Sequence, residues 1–452
     1  MNPSMKLFGT DGIRGRVNEF PITAEVALRT GKAVAMVLRG SDHSRNRVLI
    51  GKDTRISGYM LETALTSGLV SMGMDVLLVG PLPTPAVAHL TKSMGAAAGI
   101  MITASHNPYE DNGMKIFGPD AYKLSDDVEN LIERHIMGDE AEPPALPPHQ
   151  IGKAQRIDDA RGRYIEFAKQ TADNLSLHGL KIVIDCGHGA AYHIAPLIFK
   201  ELGAEVIATG IQPDGININE GCGALHPQAA GQLVRQHGAD LGISFDGDAD
   251  RVIFTDANGQ VVSGDRALGL CALGLKQQGK LKNNTLVATV MSNLGLIEAM
   301  KRHGIHVETT AVGDRSVIEC MRKHGHSFGG ENSGHLIFGD HGTTGDGILS
   351  ALQVLRFMRH ENASLLKLSS IMQEYPTQLA NMQIPSKPPL ESLTELQNLM
   401  REATVEFGDR GRHLIRYSGT ENKIRVLVEH QEISEVQSWV SKFSNAITRE
   451  IR

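Results

Sequence analysis

Cysteine is scarce and scattered. The four thiols (Cys186, Cys222, Cys271 and Cys320) have no C-x-x-C spacing among 452 residues. Neither a disulfide framework nor a zinc-ribbon pattern can be read from them, and buried thiols in a reducing compartment are the expectation. Long apolar runs are also missing. No uninterrupted stretch could span a bilayer, and the N-terminus has no charged-then-apolar signal segment. A cytoplasmic protein with no membrane partner is therefore expected. Positive charge is not in excess: the formal net charge is −6. That argues against nucleic acid or an anionic membrane as partner, so any positive field for an anionic substrate must be local. Low-complexity segments are absent as well.

Glycine is abundant, at 48 residues, and implies many tight turns. At this length one ordinary core is too small, and several domains are expected. Short hydrophobic runs recur in one order three times. They are Val48–Ile50, Val76–Val79 and Gly99–Ile102; then Ile182–Ile184, Glu205–Ile207 and Leu241–Phe245; then Leu286–Ala288, His306–Glu308 and the stretch around Ser327–Phe328. Helix-like segments such as Met60–Leu65 and Ala195–Phe199 lie between them. Such alternation indicates βαβ units around largely parallel sheets. Each copy adds a fourth short run after its third strand: Met114–Phe117, Val252–Phe254 and Leu336–Phe338. That connection is too short for a crossover helix, so the fourth strand should be antiparallel.

The expected architecture is α/β, with three similar mixed-sheet domains and a smaller α+β domain at the C-terminus. Pro143–Pro148 cannot continue a helix and reads as a linker. The boundaries drawn are 1–150, 151–258, 259–368 and 369–452. The last segment should carry a strand near Gln378–Ile384, a helix near Leu393–Phe407, a hairpin near Arg412–Glu429 and a terminal helix.

Ligands in open α/β sheets bind beyond the carboxyl ends of the strands. In each copy a chemically distinctive loop lies there: Thr103–Pro108, Asp246–Arg251 and Glu331–His335. Asp246, Asp248 and Asp250 place three carboxylates at alternate positions after a strand. Carboxylates this dense repel one another unless a cation is present, and hard oxygen donors suit Mg²⁺. A calcium loop does not fit, because its sixth position is Arg251 and its twelfth Ala257. A solvated acidic turn is the other reading.

Ser105, taken alone, could be a turn residue or helix cap. Opposite a cation site it becomes a nucleophile able to carry a phosphoryl group whose oxygen completes the metal shell. His106 and Lys115 are candidate proton-transfer groups, although Lys115 could instead neutralise phosphate and His106 could be structural. Glu331, Ser333 and His335 can exchange hydrogen bonds with sugar hydroxyls. Arg416, Ser418, Gly419 and Thr420, with Arg425 on the return strand, can enclose a phosphate dianion. An ordinary hairpin turn is the alternative there, and Arg14 and Arg315 are the other phosphate contacts considered.

Two apparent motifs fail. Gly274–Lys280 imitates a P-loop, but Leu281 replaces the Ser/Thr. Gly187-His188-Gly189 has Tyr192 where the third dinucleotide glycine belongs.

The four loops together resemble the α-D-phosphohexomutase superfamily. The resemblance runs from Leu7–Gly15 to the C-terminal hairpin, nearly the whole chain. Thr103–Pro108 is similar to the family's phosphoserine loop and Asp246–Arg251 to its magnesium loop. Glu331–His335 is similar to its sugar loop and Arg416–Glu421 to its phosphate loop. Ser418-Gly419-Thr420, where mannose and glucose relatives usually carry Ser-Asn-Thr, and the opening Phe8–Gly15 point to the bacterial glucosamine branch. Tyr417 stands where the family commonly has a proline, and Asn422-Lys423 replaces a common proline-containing stretch.

The resemblance implies four domains around one cleft, with one Mg²⁺ per chain held by Ser105, Asp246, Asp248 and Asp250. Substrate contacts would come from Arg14, Arg251, Arg315, Glu331, Ser333, His335, Arg416, Ser418, Gly419, Thr420 and Arg425. The implied reaction interconverts glucosamine 6-phosphate and glucosamine 1-phosphate. It would pass through phosphoserine and glucosamine 1,6-bisphosphate, which also serves as primer, and would feed UDP-N-acetylglucosamine synthesis. The implied partner is a small amino-sugar phosphate, with a homodimer left open. The rival readings are a phosphomannomutase or phosphoglucomutase on the same scaffold, a metal-dependent sugar phosphatase and a non-catalytic sugar-phosphate sensor.

Overall fold

The sequence repeat is a repeat of topology. The computed structural model describes residues 6–9, 11–40, 46–140, 145–418 and 422–451. In each of three segments the sheet order is second, first, third, fourth strand. The first has Asp75–Pro81, Arg47–Lys52, Ala98–Ile102 and Asp111–Phe117; the second has Glu205–Thr209, Lys181–Asp185, Leu241–Phe245 and Val252–Thr255. The third has His306–Thr310, Thr285–Thr289, Phe328–Gly330 and Leu336–Phe338. The first three strands pair parallel and the fourth antiparallel, as in Ile243 opposite both Ile184 and Phe254. The central strands are apolar along their whole length because both faces are covered. Val48, Leu49 and Ile50 are all fully buried, the pattern of parallel strands packed on both sides.

Additions to this unit fall at the sheet edges. Phe8–Gly9 and Gly12–Arg16 extend the first sheet beyond Asp111–Phe117, and Ala154–Arg156 pairs parallel with Asp75–Pro81 at its other edge. The second sheet gains Val261–Val262 beside Val252–Thr255. Pro143 and Pro144 of the linker lie outside the described residues; after them Pro148–Gln150 forms a single 3₁₀ turn. All four cysteines are free, with Cys186 and Cys271 buried and Cys222 and Cys320 half-buried.

Two contact units form: Met1–Met291 with Ile305–Ser370, and Ser292–Gly304 with Ile371–Arg452. In the second unit, an antiparallel sheet orders Thr377–Gln383, Lys423–His430 and Gly411–Tyr417. The helices Thr394–Phe407 and Ile433–Glu450 are amphipathic and lay Phe407, Trp439 and Phe443 over Ile424, Val426 and Val428. The Ser292–Gly304 segment is held by Asn293, whose Oδ1 accepts from Tyr375 N at 2.9 Å, and by Arg412, whose guanidinium donates to Ser292 O.

In the first unit, helix Ala24–Leu38 begins at Thr23, whose Oγ1 accepts from Val26 N at 3.3 Å. It crosses helix Ser57–Ser71 backbone to backbone, at Gly31 and Gly68. A Cβ on Gly68 would lie 2.2 Å from Leu28 O, and one on Gly31 2.4 Å from Leu65 O. Only glycine fits such an approach. Helix propensity alone would favour alanine at position 68 by about 1 kcal/mol. Overpacking against rigid backbone should reverse that sign, and Gly68→Ala is expected to destabilise the first unit by about 1–3 kcal/mol in urea unfolding.

Candidate functional site

Two of the strand-end loops meet at one hydrogen bond. Ser105 Oγ donates to Asp246 Oδ2 at 2.6 Å, and both side chains are buried. Ser105 has φ 52°, a left-handed conformation that turns its hydroxyl back across the loop end. Its N–H donates to Thr103 Oγ1 at 2.9 Å. Gly247 backs directly onto this loop, since a Cβ there would lie 2.5 Å from Ser105 O.

The loop is clamped from below by a residue the sequence reading did not single out. Arg55, fully buried, donates to the carbonyls of Ser105 (3.0 Å), Asn107 (2.7 Å) and Asp111 (3.0 Å), and to that of Pro108. Asp53 Oδ2 pairs with Arg55 Nε at 2.8 Å and accepts from Thr103 Oγ1 at 2.7 Å. Burial pushes the Asp53 carboxyl up, against the pull of Arg55. Asn219, reaching in from the second segment, donates to Ser105 O at 3.0 Å and Asn107 O at 3.2 Å. Asp53 and Arg55 follow the first strand at its carboxyl end, so the rule that selected the other loops could have found them. Asn219 carries no such signal.

Asp246, Asp248 and Asp250 offer carboxylate oxygens that all lie within 4.8 Å of one another. Burial, then repulsion from Asp250 and Asp248, holds the Asp246 carboxyl well above its ordinary range. Asp250 is also buried, but Lys115 and His335 outweigh that and hold it well below. Asp248 Oδ1 is buried with no hydrogen-bond partner among the described residues. Asp250 Oδ1 is buried without one as well, and converging hard oxygens with two left unsatisfied fit a divalent cation such as Mg²⁺.

Lys115 Nζ sits against the cluster, 2.8 Å from Asp248 Oδ2, 3.0 Å from Asp250 Oδ2 and 3.1 Å from Asp11 Oδ2. Burial opposes its charge, but the three carboxylates outweigh it and its pKa rises well above the ordinary value. Thr84 also grips the cluster, through Oγ1 to Asp248 Oδ2 at 2.5 Å. Lys123 Nζ bridges Asp11 (2.5 Å) and Asp314 (2.6 Å), and Arg14 pairs with Asp11.

His106 Nδ1 lies 3.5 Å from Ser105 Oγ and 2.9 Å from Arg251 Nη1. Burial, with Arg251 and Arg14 adding to it, lowers the His106 pKa to about 4, so the ring is neutral at pH 7. Arg251 is kept charged against burial by Asp250, Asp246 and Asp248.

In the third loop Glu331 Oε1 accepts from Gly313 N at 3.0 Å, and Ser333 is exposed. His335, placed by sequence among the hydroxyl readers, is buried. Its Nε2 accepts from Gly345 N at 3.0 Å, and its Nδ1 lies 3.6 Å from Asp250 Oδ1. Arg315 is engaged with Asp126, with Glu129 Oε1 at 2.7 Å and with Leu124 O at 3.3 Å.

The other unit presents Arg416 and Arg425 directly opposite each other across a strand pair. Burial and then Arg425 lower the Arg416 pKa, so two guanidinium groups face each other as like charges. Such a pair is destabilising unless an anion lies between them. Lys387 Nζ adds a third cation, donating to Ser418 O at 2.7 Å. Gly419, Thr420 and Glu421 lie outside the described residues.

Comparison with known proteins matches four family models in series. They are the phosphoglucomutase/phosphomannomutase alpha/beta/alpha domains I, II and III over residues 5–142, 162–259 and 263–375, and the C-terminal domain over 379–446. The chain belongs to the phosphoglucomutase/phosphomannomutase family. Among its relatives, a protein named phosphoglucosamine mutase from Citrifermentans bemidjiense is 51% identical over 447 residues, 99% of this chain and 98% of that one. Another so named, from Sorangium cellulosum, is 52% identical over 99% of this chain and 93% of that one. In fold, the chain matches a phosphoglucomutase/phosphomannomutase family protein from Burkholderia thailandensis with a TM-score of 0.82. The two are 24% identical, with coverage of 98% of this chain and 97% of that one. An N-acetylphosphoglucosamine mutase from Aspergillus fumigatus, solved with GlcNAc-6P and magnesium, matches with a TM-score of 0.66 at 16% identity over 99% and 96% of the two chains. Among the described residues no helix is long and apolar enough to cross a membrane.

Removing the Arg55 guanidinium would take a charged donor from four loop carbonyls, leave Asn219 as the remaining side-chain donor to those of Ser105 and Asn107, and strand Asp53 as an uncompensated buried charge. Arg55→Met is expected to cost about 3–5 kcal/mol in urea unfolding. Adding Asp53→Asn should recover part of that loss, because it removes the stranded charge.

Proposed function

We propose that the chain is a phosphoglucosamine mutase, interconverting glucosamine 6-phosphate and glucosamine 1-phosphate. The Ser105–Asp246 contact carries this reading, because it sets a nucleophilic hydroxyl on a carboxylate cluster built for a cation. The high identity to proteins of that name across the whole chain supports the amino-sugar substrate. Such an enzyme supplies the 1-phosphate needed for UDP-N-acetylglucosamine synthesis, and a cytoplasmic location goes with that role.

The reaction balances in two transfers. The phosphoryl group of phospho-Ser105 passes to the sugar O1, releasing Ser105 Oγ and leaving glucosamine 1,6-bisphosphate. The intermediate reorients, Ser105 Oγ attacks the phosphorus at position 6, and the O6–P bond breaks to give glucosamine 1-phosphate. The proton lost from O1 is restored at O6.

Asp246, Asp248 and Asp250, with the phosphoryl oxygen on Ser105, would hold one Mg²⁺. When bound, that ion would supply charge compensation to the transferring phosphoryl group. Asp246 Oδ2 and the neutral His106 ring are the two acceptors facing the Ser105 hydroxyl. Lys115, held protonated among three carboxylates, serves better as fixed positive charge than as a base. Arg14 and Arg251 lie at the same cluster and would meet substrate oxygens. Glu331 and Ser333 would read the sugar hydroxyls, His335 would fix Asp250 from behind, and Arg315 would contribute once freed from Asp126. Arg416, Ser418, Gly419, Thr420 and Arg425 would hold whichever phosphate is not reacting.

The reading is tested by a coupled assay with glucosamine 6-phosphate, primed by glucosamine 1,6-bisphosphate. Faster turnover of mannose or glucose 6-phosphate would assign the chain to another branch. Inorganic phosphate as the main product would make it a phosphatase.

Peptide mapping of active protein is expected to find an acid-stable phosphate on Ser105, and Ser105→Ala should lower turnover on the order of 10⁴-fold or more. Near-normal turnover in that variant would rule out the covalent route. Arg425→Ala should lower kcat/KM by about 10- to 100-fold, the range for losing one charge-assisted phosphate contact. Phosphorylation of Ser105 should persist in that variant, so an unphosphorylated product would place Arg425 in a different role.

A further inference from the structure

The third sheet carries a second group of metal-capable side chains, unconnected by any hydrogen bond or ion pair described above to the aspartate cluster. Glu308 lies on the outer strand His306–Thr310, and Cys320, His324 and His326 lie at the end of helix Asp314–His324 and just beyond it. We propose that Glu308, Cys320, His324 and His326 bind a single zinc ion.

The geometry is close to what such an ion needs. Glu308 Oε1 is 2.8 Å from His324 Nδ1, and Oε2 is 2.8 Å from His326 Nε2. The ligand atoms of these three residues fall within 4.8 Å of one another. Cys320 and His324 are four apart on the helix and share a face, with Sγ 3.8 Å from His324 Nδ1. Zinc bond lengths imply separations of about 3.3 Å between nitrogen and oxygen ligands and about 3.6 Å between nitrogen and sulfur in a tetrahedral site. A few tenths of an ångström of movement would fit the Glu308, His324 and His326 donors to the ion, while Cys320 Sγ, which stands outside that tight group, would turn in from beside His324 to complete the set.

Donor chemistry chooses the metal. A thiolate, two imidazoles and one carboxylate form a borderline-soft set that suits zinc, whereas the all-oxygen aspartate cluster suits magnesium. The His326 side chain is only 7% exposed, while those of Glu308 and His324, at 30% and 41%, leave a route of entry. The Asn283 amide lies 3.2 Å from His326 Nδ1, where an outer partner steadies a ligating imidazole. The carboxylate bridges the two rings, and the Cys320 thiol lies beside His324. On binding, the thiol proton and any imidazolium protons pass to solvent, and one lone pair from each residue goes to the metal. The ion would fasten the helix end to the outer strand of the sheet.

The test is a calorimetric zinc titration of the full chain in excess Mg²⁺, which occupies the oxygen cluster but competes poorly for thiolate and imidazole. Wild type should bind one zinc equivalent and gain thermal stability from it, and His324→Gln/His326→Gln should lose both effects. A melt of the double variant without zinc that matches wild type would confirm that it folds. Cobalt in place of zinc should give a thiolate-to-metal charge-transfer band that Cys320→Ser removes. Equal zinc binding by wild type and the double variant, or none in either, would overturn the site. Cobalt binding without the thiolate band would overturn the four-donor assignment.

Discussion

Three carboxylates held within 4.8 Å of one another are the constraint around which the first unit is arranged. Like charges at that range separate unless something holds them, and here two things do. Fixed strand ends set where Asp246, Asp248 and Asp250 stand, and the buried Lys115 ammonium compensates two of them. The compensation is uneven. Asp250 is driven toward its ionised form and Asp246 toward its neutral one, so the cluster keeps an electrostatic asymmetry that a second cation can relieve. The hydroxyl of Ser105 is bonded to the carboxylate left least compensated.

Precision in that arrangement comes from layers behind it. Arg55 does not contact the carboxylates; it spends its donors on the carbonyls of the serine loop, which fixes where the hydroxyl can be. Asn219 ties the same carbonyls to the second segment. Gly347, at the start of helix Gly347–Glu361, donates to Ala249 O at 3.0 Å and brings a helix N-terminus to the back of the acidic loop. Three repeats of one topology thus meet at their strand ends, and each supplies supports for its neighbours.

Much of this was legible in the sequence, for identifiable reasons. Central strands such as Val48–Ile50 and Leu241–Phe245 are buried on both faces and announce themselves as apolar runs. Chemical side chains at their carboxyl ends follow from chain direction alone. Ala154–Arg156 gave no such sign: all three residues are exposed, and backbone pairing needs no apolar pattern. His335 was read by type and spacing as a hydroxyl contact, while its burial against Asp250 depends on folding of the neighbouring loop. Asp53 and Arg55 stand at a strand's carboxyl end and are open to the same rule, but Asn219 binds main-chain atoms, and main-chain atoms leave no trace in a sequence. The same holds for Glu308 and His326, whose meeting depends on sheet register and not on any spacing in the chain.

The facing guanidinium groups of Arg416 and Arg425 have a consequence for the C-terminal unit on its own. A hairpin that carries its own repulsion is least comfortable when empty, so its folding equilibrium and its anion occupancy are thermodynamically linked. Any multivalent anion that settles between the two arginines also braces the sheet, and low salt, which strengthens the repulsion, would sharpen the difference. The hairpin is in that sense an ionic thermometer, with a firmness that reports whether a phosphate is in place.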